Sequence, residues 1–119
     1  MACATNDGLR LDGHFGSCDQ FMVYDVFPAG VELVGSRAAG AAETARRTAM
    51  IRDCQMVCLQ AIGGPAAGRV TQAGIMPLKF TEPLPLVWVL ERIRARLADH
   101  PPPWMARAMI GRQPACLEH

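Results

Sequence analysis

The stretch from Asp53 to Phe80, DCQMVCLQAIGGPAAGRVTQAGIMPLKF, decides the fold class. Its apolar run CQMVCLQA ends at a double glycine, which is typical of a buried strand leaving a sheet. PAAGRVTQAG then predicts a short helix, with Pro65 suited to its first turn and Gly74 to its C-terminal cap. IMPLKF predicts a second strand. This order predicts a parallel strand-helix-strand crossover, the unit of an α/β sheet.

The segments before this unit predict an antiparallel start to the sheet. Met1 to Thr5 is short and apolar enough for a strand, and the Asn-Asp-Gly that follows is a strong turn signal. Gln20 to Phe27 is rich in β-branched and aromatic residues, PAG turns the chain, and Val31 to Ser36 returns. We therefore expect a hairpin in the first third of the chain.

Two further segments have helical character. From about Ala42 to Arg52 the chain is dominated by Ala and Arg, which are good helix formers, and three of its alanines share one face: Ala42, Ala45 and Ala49. LVWVLERIRARLAD predicts the clearest helix, because its apolar residues repeat at four, three and four positions. They are Leu86, Leu90, Ile93 and Leu97.

Prolines interrupt the chain on both sides of that last helix. TEPLP predicts an irregular connection, since proline lacks an amide donor. HPPPWMARAMI begins with a rigid polyproline break and predicts a final helical turn that carries Trp104, Met105 and Met109. The Trp104-Met105 region is the expected exposed apolar patch.

The order of elements predicts one α/β domain with a mixed sheet and helices on its faces. We place this single domain at residues 1–116 and interpret Leu117-Glu118-His119 as a tag remnant. The chain has 119 residues, of which 50% are hydrophobic and 19% charged, and its formal net charge is +1. This charge gives no reason to expect binding to nucleic acid or to an anionic membrane. MACATNDG lacks the features of a signal peptide, and no apolar run approaches the ~20 residues of a membrane span. We expect a cytoplasmic protein.

The five cysteines do not have the regular spacing of a disulfide framework, so we expect reduced thiols. Cys54 and Cys58 resemble a metal-binding pair. If both lie in one strand, however, four residues at about 3.3 Å each place them ~13 Å apart, beyond the reach of one metal ion. Only a turn at Cys54 brings the two together, and we interpret both as structural.

The stretch DGHFGSC, from Asp12 to Cys18, is the most informative about chemistry. It places His14 between Gly13 and Gly16, which permit backbone conformations closed to other residues and predict a mobile loop. Imidazole and thiolate are both good ligands for iron, so His14 and Cys18 are candidate metal ligands. Two other interpretations stay open: an exposed turn histidine without a role, and a cysteine packed as a small apolar side chain.

The stretch IGGPAAGR is a second candidate binding segment. Gly63 and Gly64 open a helix, and exposed amides at a helix N-terminus attract anions such as carboxylate or phosphate. Arg69 follows one turn later. The spacing matches neither a P-loop nor a dinucleotide fingerprint, so a plain strand-to-helix turn remains the alternative.

Three blocks together resemble a known family: CATNDGLRLDGHFGSCDQFMVYDV, the Asp53 to Phe80 stretch DCQMVCLQAIGGPAAGRVTQAGIMPLKF, and PPPWMARAM. They are similar to the nitrogenase-associated cofactor carriers, the dinitrogenase iron-molybdenum cofactor biosynthesis family, which includes the X and Y accessory proteins and the gamma subunit. The similarity covers roughly Cys3 to Ile110. It implies a ribonuclease-H-like α/β fold with a five-stranded mixed sheet flanked by helices.

The resemblance also implies a non-enzymatic role, in which the protein binds the iron-molybdenum cofactor or its iron-sulfur precursor. It would hold this cargo and pass it between cofactor-assembly proteins and apo-nitrogenase. The family's cofactor-ligand histidine falls on His14, within a contact segment that also includes Gly13, Phe15, Gly16 and Ser17. Gly63, Gly64 and Arg69 are further contact candidates, and we expect the helix amides from Gly64 to Ala67 and the Arg69 side chain to offset the negative charge of the cargo. Cys18 is a weaker ligand candidate. We expect a monomer or a weak dimer.

Two alternatives come from other classes. One is a phosphoesterase of the same fold, which requires acidic metal ligands on adjacent strands, drawn from Asp7, Asp12 and Asp25. The other is a metal-free chaperone that binds apo-nitrogenase through the apolar patch around Trp104.

Overall fold

The computed structural model describes residues 1–99. In chain order, its elements are β1 (Ala2–Thr5), β2 (Arg10–Leu11), β3 (Gln20–Phe27), β4 (Gly30–Ala38), α1 (Thr44–Met50), β5 (Met56–Leu59), α2 (Gly64–Gln72), β6 (Met76–Lys79), β7 (Leu84–Pro85) and α3 (Leu86–Ala98). The predicted hairpin is β3 and β4, and the predicted crossover is β5, α2 and β6. Both predictions are confirmed.

The main sheet has five strands in the order β4-β3-β1-β5-β6. β3 is antiparallel to both of its neighbours, β1 and β4, whereas β1, β5 and β6 are mutually parallel. The predicted α/β class and mixed five-stranded sheet are therefore confirmed. The chain builds the sheet outward from β1 in one direction and then, through β5, in the other.

The sheet separates two hydrophobic cores. Alternate residues of the central strands point to opposite faces, as the two-residue period of a strand requires. Ala2 of β1 and Val57 of β5 belong to the core beneath α1 and α2, whereas Cys3 and Cys58 belong to the core beneath α3. Because both faces of β1 and β5 are covered, every residue of these strands is buried, and all of them except Thr5 are apolar.

The apolar stripe predicted for the last helix is confirmed, since Leu86, Leu90, Ile93 and Leu97 are all buried in α3. The alanine face predicted for the earlier helix does not form its buried side. Ala45 and Ala49 are exposed, and α1 instead buries Arg47 and Thr48. The helix is also shorter than predicted, beginning at Thr44 and ending at Met50.

The prediction of an irregular TEPLP connection is wrong at its end. Leu84 and Pro85 form β7, which pairs with β2, and the amide of Leu86 donates to the Leu9 carbonyl at 2.9 Å. Pro85 is tolerated because it lies at the edge of a two-stranded ribbon, where one missing amide donor costs little. The predicted final helical turn with Trp104, Met105 and Met109 lies outside the described residues, as do Cys116 and the predicted tag remnant.

Within residues 1–99, no helix has the length and apolar character needed to cross a membrane.

Candidate functional site

The His14 segment lies at the edge of the sheet where the parallel strands β1 and β5 end. The amide of Gly13 donates to the Ala4 carbonyl at 3.1 Å, and the Gly13 carbonyl accepts from the amide of Gln60 at 2.9 Å. One residue further on, His14 forms a parallel bridge with Ala61. Backbone hydrogen bonds therefore fix Gly13 and His14 between the carboxyl ends of β1 and β5.

His14 itself is exposed at the start of a tight turn. Its carbonyl accepts hydrogen bonds from the amides of Ser17 at 3.1 Å and Cys18 at 2.9 Å. Gly16 and Ser17 are exposed beside it. Residues 14–18, the His14 turn, thus present an imidazole and a short stretch of backbone to solvent.

The Phe15 side chain packs the His14 turn onto the hydrophobic core. Its side chain is fully buried, and its ring centroid lies 5.6 Å from that of Phe21 on β3. Its amide donates to the Ala61 carbonyl at 2.9 Å. Phe15 was predicted to contact cofactor, but its ring faces the core and has no surface to offer a ligand.

The two glycines of the motif differ in role. A Cβ on Gly13 would lie 2.7 Å from the Ala4 carbonyl carbon and 2.7 Å from the Cys18 Cβ, closer than real contacts allow. A Cβ on Gly16 meets nothing within 4 Å. Neither glycine has a positive φ. Gly13 is therefore required for close packing of backbone, and the mobility of the loop stays a prediction.

Cys18 is the last residue of the His14 turn, and its side chain is buried. None of its surface is exposed, and it belongs to the core under α1 and α2. Burial raises the pKa of its thiol, and the nearby guanidinium of Arg47 offsets part of that rise. His14 faces solvent and Cys18 faces the core, so the structure does not bring these two predicted ligands onto one surface.

The structure does bring His14 beside the start of α2. Its bridge partner Ala61 lies two residues before Gly63, the residue that precedes the helix. No side chain caps this end and no acidic residue lies in its first turn, so the partial positive charge of the helix end is not neutralised locally. The exposed Gly63 and Gly64 therefore lie next to the His14 turn.

Arg69 lies elsewhere. It is in the last turn of α2 and lines a groove of about 270 Å³ between α1 and α2. Arg52, Gln72 and Thr48 line the same groove. Because the helix rises 1.5 Å per residue, Arg69 lies about 7 Å along the axis from Gly64. The geometry does not group it with His14.

Sequence reasoning missed Arg47, which is 1% exposed. From α1 its guanidinium reaches two separate segments. Nη1 donates to the Phe15 carbonyl at 3.2 Å, the Cys18 carbonyl at 2.9 Å and the Cys18 Sγ at 3.3 Å. Nε donates to the Ala42 carbonyl at 2.7 Å, and Nη2 donates to the Gly40 carbonyl at 2.6 Å. Nothing in the sequence distinguishes Arg47 from its exposed neighbour Arg46.

The remaining candidates are structural. Cys54 and Cys58 are both buried, but they belong to different cores on opposite faces of the sheet. Asp7 accepts from the amides of Leu9 at 2.8 Å and Arg10 at 3.0 Å, and Asp12 accepts from the amide of Asn6 at 2.9 Å.

Metal-donor side chains are not clustered. Across residues 1–99, no three of the His, Cys, Asp and Glu side chains lie close enough together to hold a metal ion. From residues 1–99, a metal-containing ligand at the His14 turn would therefore meet a single imidazole and backbone amides rather than a closed coordination cage.

Comparison with known proteins gives relatives over most of the chain. It is 38% identical over 114 residues to Protein NifY of Azotobacter vinelandii, with 92% of this chain and 47% of NifY covered. It is 31% identical over 121 residues to Protein NifX of Rhodobacter capsulatus, with 92% of this chain and 76% of NifX covered. The chain thus spans about half the length of this NifY and three quarters of this NifX.

A third relative is longer. The chain is 31% identical over 121 residues to the FeMo cofactor biosynthesis protein NifB of Herbaspirillum seropedicae, with 86% of this chain and 23% of NifB covered. The family model described as dinitrogenase iron-molybdenum cofactor matches residues 1–96, which is nearly the whole described structure. The chain belongs to the dinitrogenase iron-molybdenum cofactor family.

Proposed function

We propose that this chain takes part in nitrogen fixation by binding the iron-molybdenum cofactor or its iron-sulfur precursor during cofactor assembly. It holds the cluster as cargo and releases it toward apo-nitrogenase. Membership of the family supports this proposal, and so does similarity to a relative named for FeMo cofactor biosynthesis. Apo-nitrogenase and other cofactor-assembly proteins are the partners we propose.

One observation carries the proposal: His14 is exposed at the carboxyl ends of β1 and β5, bridged to the segment that opens α2. From β1 the chain order runs to β3 on one side, and β5 lies on the other. This is the point where strand order reverses. In open α/β sheets, ligands bind at the carboxyl edge at such a point.

The chemistry of this edge suits a cluster that must be released again. A neutral imidazole is a good iron ligand, and a single ligand from residues 1–99, without a closed cage, leaves the bond exchangeable. Sulfide-bridged clusters are anionic, and the first amides of α2 direct partial positive charge outward. We therefore assign the cargo contact to His14, Gly16 and Ser17, with Gly63 and Gly64 beside them.

Four of the residues first predicted to bind are assigned differently. Gly13 and Phe15 support the turn through packing and backbone hydrogen bonds. Cys18 has no exposed thiol to offer. Arg69 is left out of the contact, because it lines the α1–α2 groove.

The strand order also supports the ribonuclease-H-like fold assignment, since one strand, β3, runs against the other four. The alternative of a phosphoesterase gains no support, because Asp7 and Asp12 serve the loop between β1 and β2. The chaperone alternative depends on the patch around Trp104, which lies outside the described residues.

The test is anaerobic loading of the purified protein with isolated iron-molybdenum cofactor, and separately with an iron-sulfur precursor cluster. Cluster retention is measured as iron comigrating with the protein on native gels and as the electron paramagnetic resonance signal of the bound cluster. We expect wild type to retain the cluster and His14→Ala to lose most of it. His100→Ala removes an imidazole elsewhere in the chain and is the matched control.

Equal retention by His14→Ala and wild type would remove His14 from the site. Failure of wild type to retain either cluster, with the protein folded by circular dichroism, would overturn the carrier function itself.

A further inference from the structure

Arg47 is a buried cation, and the described part of the chain places no buried anion with it. Its guanidinium makes five hydrogen bonds, four of them to backbone carbonyls and one to the Cys18 thiol. No carboxylate among residues 1–99 pairs with it. Because a guanidinium group is always charged in proteins, the buried site carries a full positive charge, and its partners among residues 1–99 are neutral dipoles.

These bonds join two segments that are distant in sequence. The Phe15 and Cys18 carbonyls belong to the His14 turn, 32 and 29 residues away from Arg47. The Gly40 and Ala42 carbonyls belong to the segment that leads into α1. The planar fork of a guanidinium is suited to holding several acceptors at fixed angles, which the single ammonium of lysine does not reproduce.

The charge of Arg47 lies close to the His14 turn. The acceptors Phe15 and Cys18 flank the exposed Gly16 and Ser17, so the guanidinium lies directly behind the surface that presents His14. The other charges nearby in sequence, Asp19, Glu43 and Arg46, are exposed, and water screens exposed charges far more than buried ones.

We propose that Arg47 is the positioning residue of the His14 turn: it holds the turn in the shape that presents His14 and places a buried positive charge behind an anionic ligand. This inference rests on the proposed function for the identity of that ligand, an anionic metal-sulfur cluster. The holding of the turn does not depend on the ligand and is tested without it.

The first test uses the cargo-free protein and the alkylation rates of Cys18 and Cys3, read by peptide mass spectrometry after timed iodoacetamide treatment. Both thiols are fully buried, but Cys3 lies in the central strand β1 and on the other face of the sheet. Local opening of the turn exposes Cys18 alone, whereas global unfolding exposes both thiols. The variant is Arg47→Lys, which keeps the charge and loses the fork.

In Arg47→Lys we expect the Cys18 rate to rise about tenfold, equivalent to about 1.4 kcal/mol of easier opening, with the Cys3 rate unchanged. Arg37→Lys is the matched control, since Arg37 also bonds a backbone carbonyl at the end of α1, while its side-chain hydrogen bonds go to Met50 and Asp53 and not to the His14 turn. It should leave the Cys18 rate near wild type. An equal rise of both rates in Arg47→Lys would overturn the proposal, because Arg47 would then support only the whole fold.

The second test measures cluster retention. Arg47→Met removes both the fork and the charge, so it should release the cluster faster than Arg47→Lys, and both should release it faster than Arg37→Lys. Wild-type retention by Arg47→Met would overturn the electrostatic part of the proposal. If wild type itself binds no cluster, the proposed function fails, and the alkylation rates still decide whether Arg47 holds the turn.

Discussion

The guanidinium of Arg37 and the carboxylate of Asp53 meet at two points, with Nη1 2.7 Å from Oδ1 and Nη2 3.0 Å from Oδ2. The same Nη1 donates to the Met50 carbonyl at 2.6 Å. The contact ties the edge strand β4 to the end of α1 and to the turn before β5. Arg47 also lies on α1, but the two arginines share no hydrogen-bond partner.

This ion pair makes part of the stability depend on acid pH. The hydrogen bond from Arg37 lowers the pKa of Asp53 from 3.8 to about 2. Because the carboxylate is more acidic when folded, the contribution is fully present above its ordinary pKa and is lost as the pH falls through about 2. The Asp53 side chain is 65% exposed, so solvent screening limits the contribution to about 1 kcal/mol or less.

We therefore expect Asp53→Asn to lower the free energy of unfolding by up to about 1 kcal/mol at pH 7 and by nearly nothing at pH 2. Urea unfolding at the two pH values measures this difference. In an Arg37→Gln background the same substitution should have no effect at pH 7, because the partner is gone. A loss of equal size at both pH values would contradict the ion-pair explanation.

The two glycines of the His14 motif should differ in tolerance to alanine. Gly13→Ala forces a Cβ to within 2.7 Å of Ala4 and Cys18, and overpacking of this kind costs about 1–3 kcal/mol. Gly16→Ala meets open space and should change stability by about 0.5 kcal/mol or less. Chemical denaturation of the two variants side by side measures the contrast. Equal losses would show that backbone freedom, not close packing, selects glycine at position 13.

Gly64 tests whether cargo lies against the start of α2. A Cβ there meets nothing within 4 Å, so Gly64→Ala should fold with wild-type stability or slightly better. It should nonetheless retain less cluster if the cluster approaches the backbone at this end. Gly68→Ala, in the same helix and equally unobstructed, should gain up to about 1 kcal/mol and keep wild-type retention. Identical retention by both variants would separate the helix end from the site.

Arg69 should be dispensable for cargo binding. It lines the α1–α2 groove with Arg52, and neither guanidinium is part of the His14 turn. Arg69→Gln should retain cluster within about twofold of wild type, comparable to Arg52→Gln, while His14→Ala loses it; twofold corresponds to about 0.4 kcal/mol. A loss in Arg69→Gln as large as in His14→Ala would return this arginine to the contact surface.

Much of the fold was predictable because local patterns determined it. The uninterrupted apolar run at β5 reflects a strand covered on both faces. The four-three-four spacing of Leu86, Leu90, Ile93 and Leu97 reflects one buried side of α3. The short strand β7 escaped prediction because its pairing with β2, more than 70 residues earlier in the chain, overrides the local preference of a proline-rich segment.

For the candidate site, too, some features follow from the sequence and others only from the tertiary structure. By itself, the sequence determined the order of the five main strands and the helices and the family resemblance, and it made His14 a candidate, since each depends on patterns within short stretches of the chain. Only the tertiary structure decided that His14 lies beside the start of α2, that Cys18 faces the core, and that Arg47 rather than Arg46 is buried beneath the turn. Those outcomes depend on contacts between segments about 30 to 50 residues apart, and the direction in which a side chain points there is set by how the helices pack on the sheet.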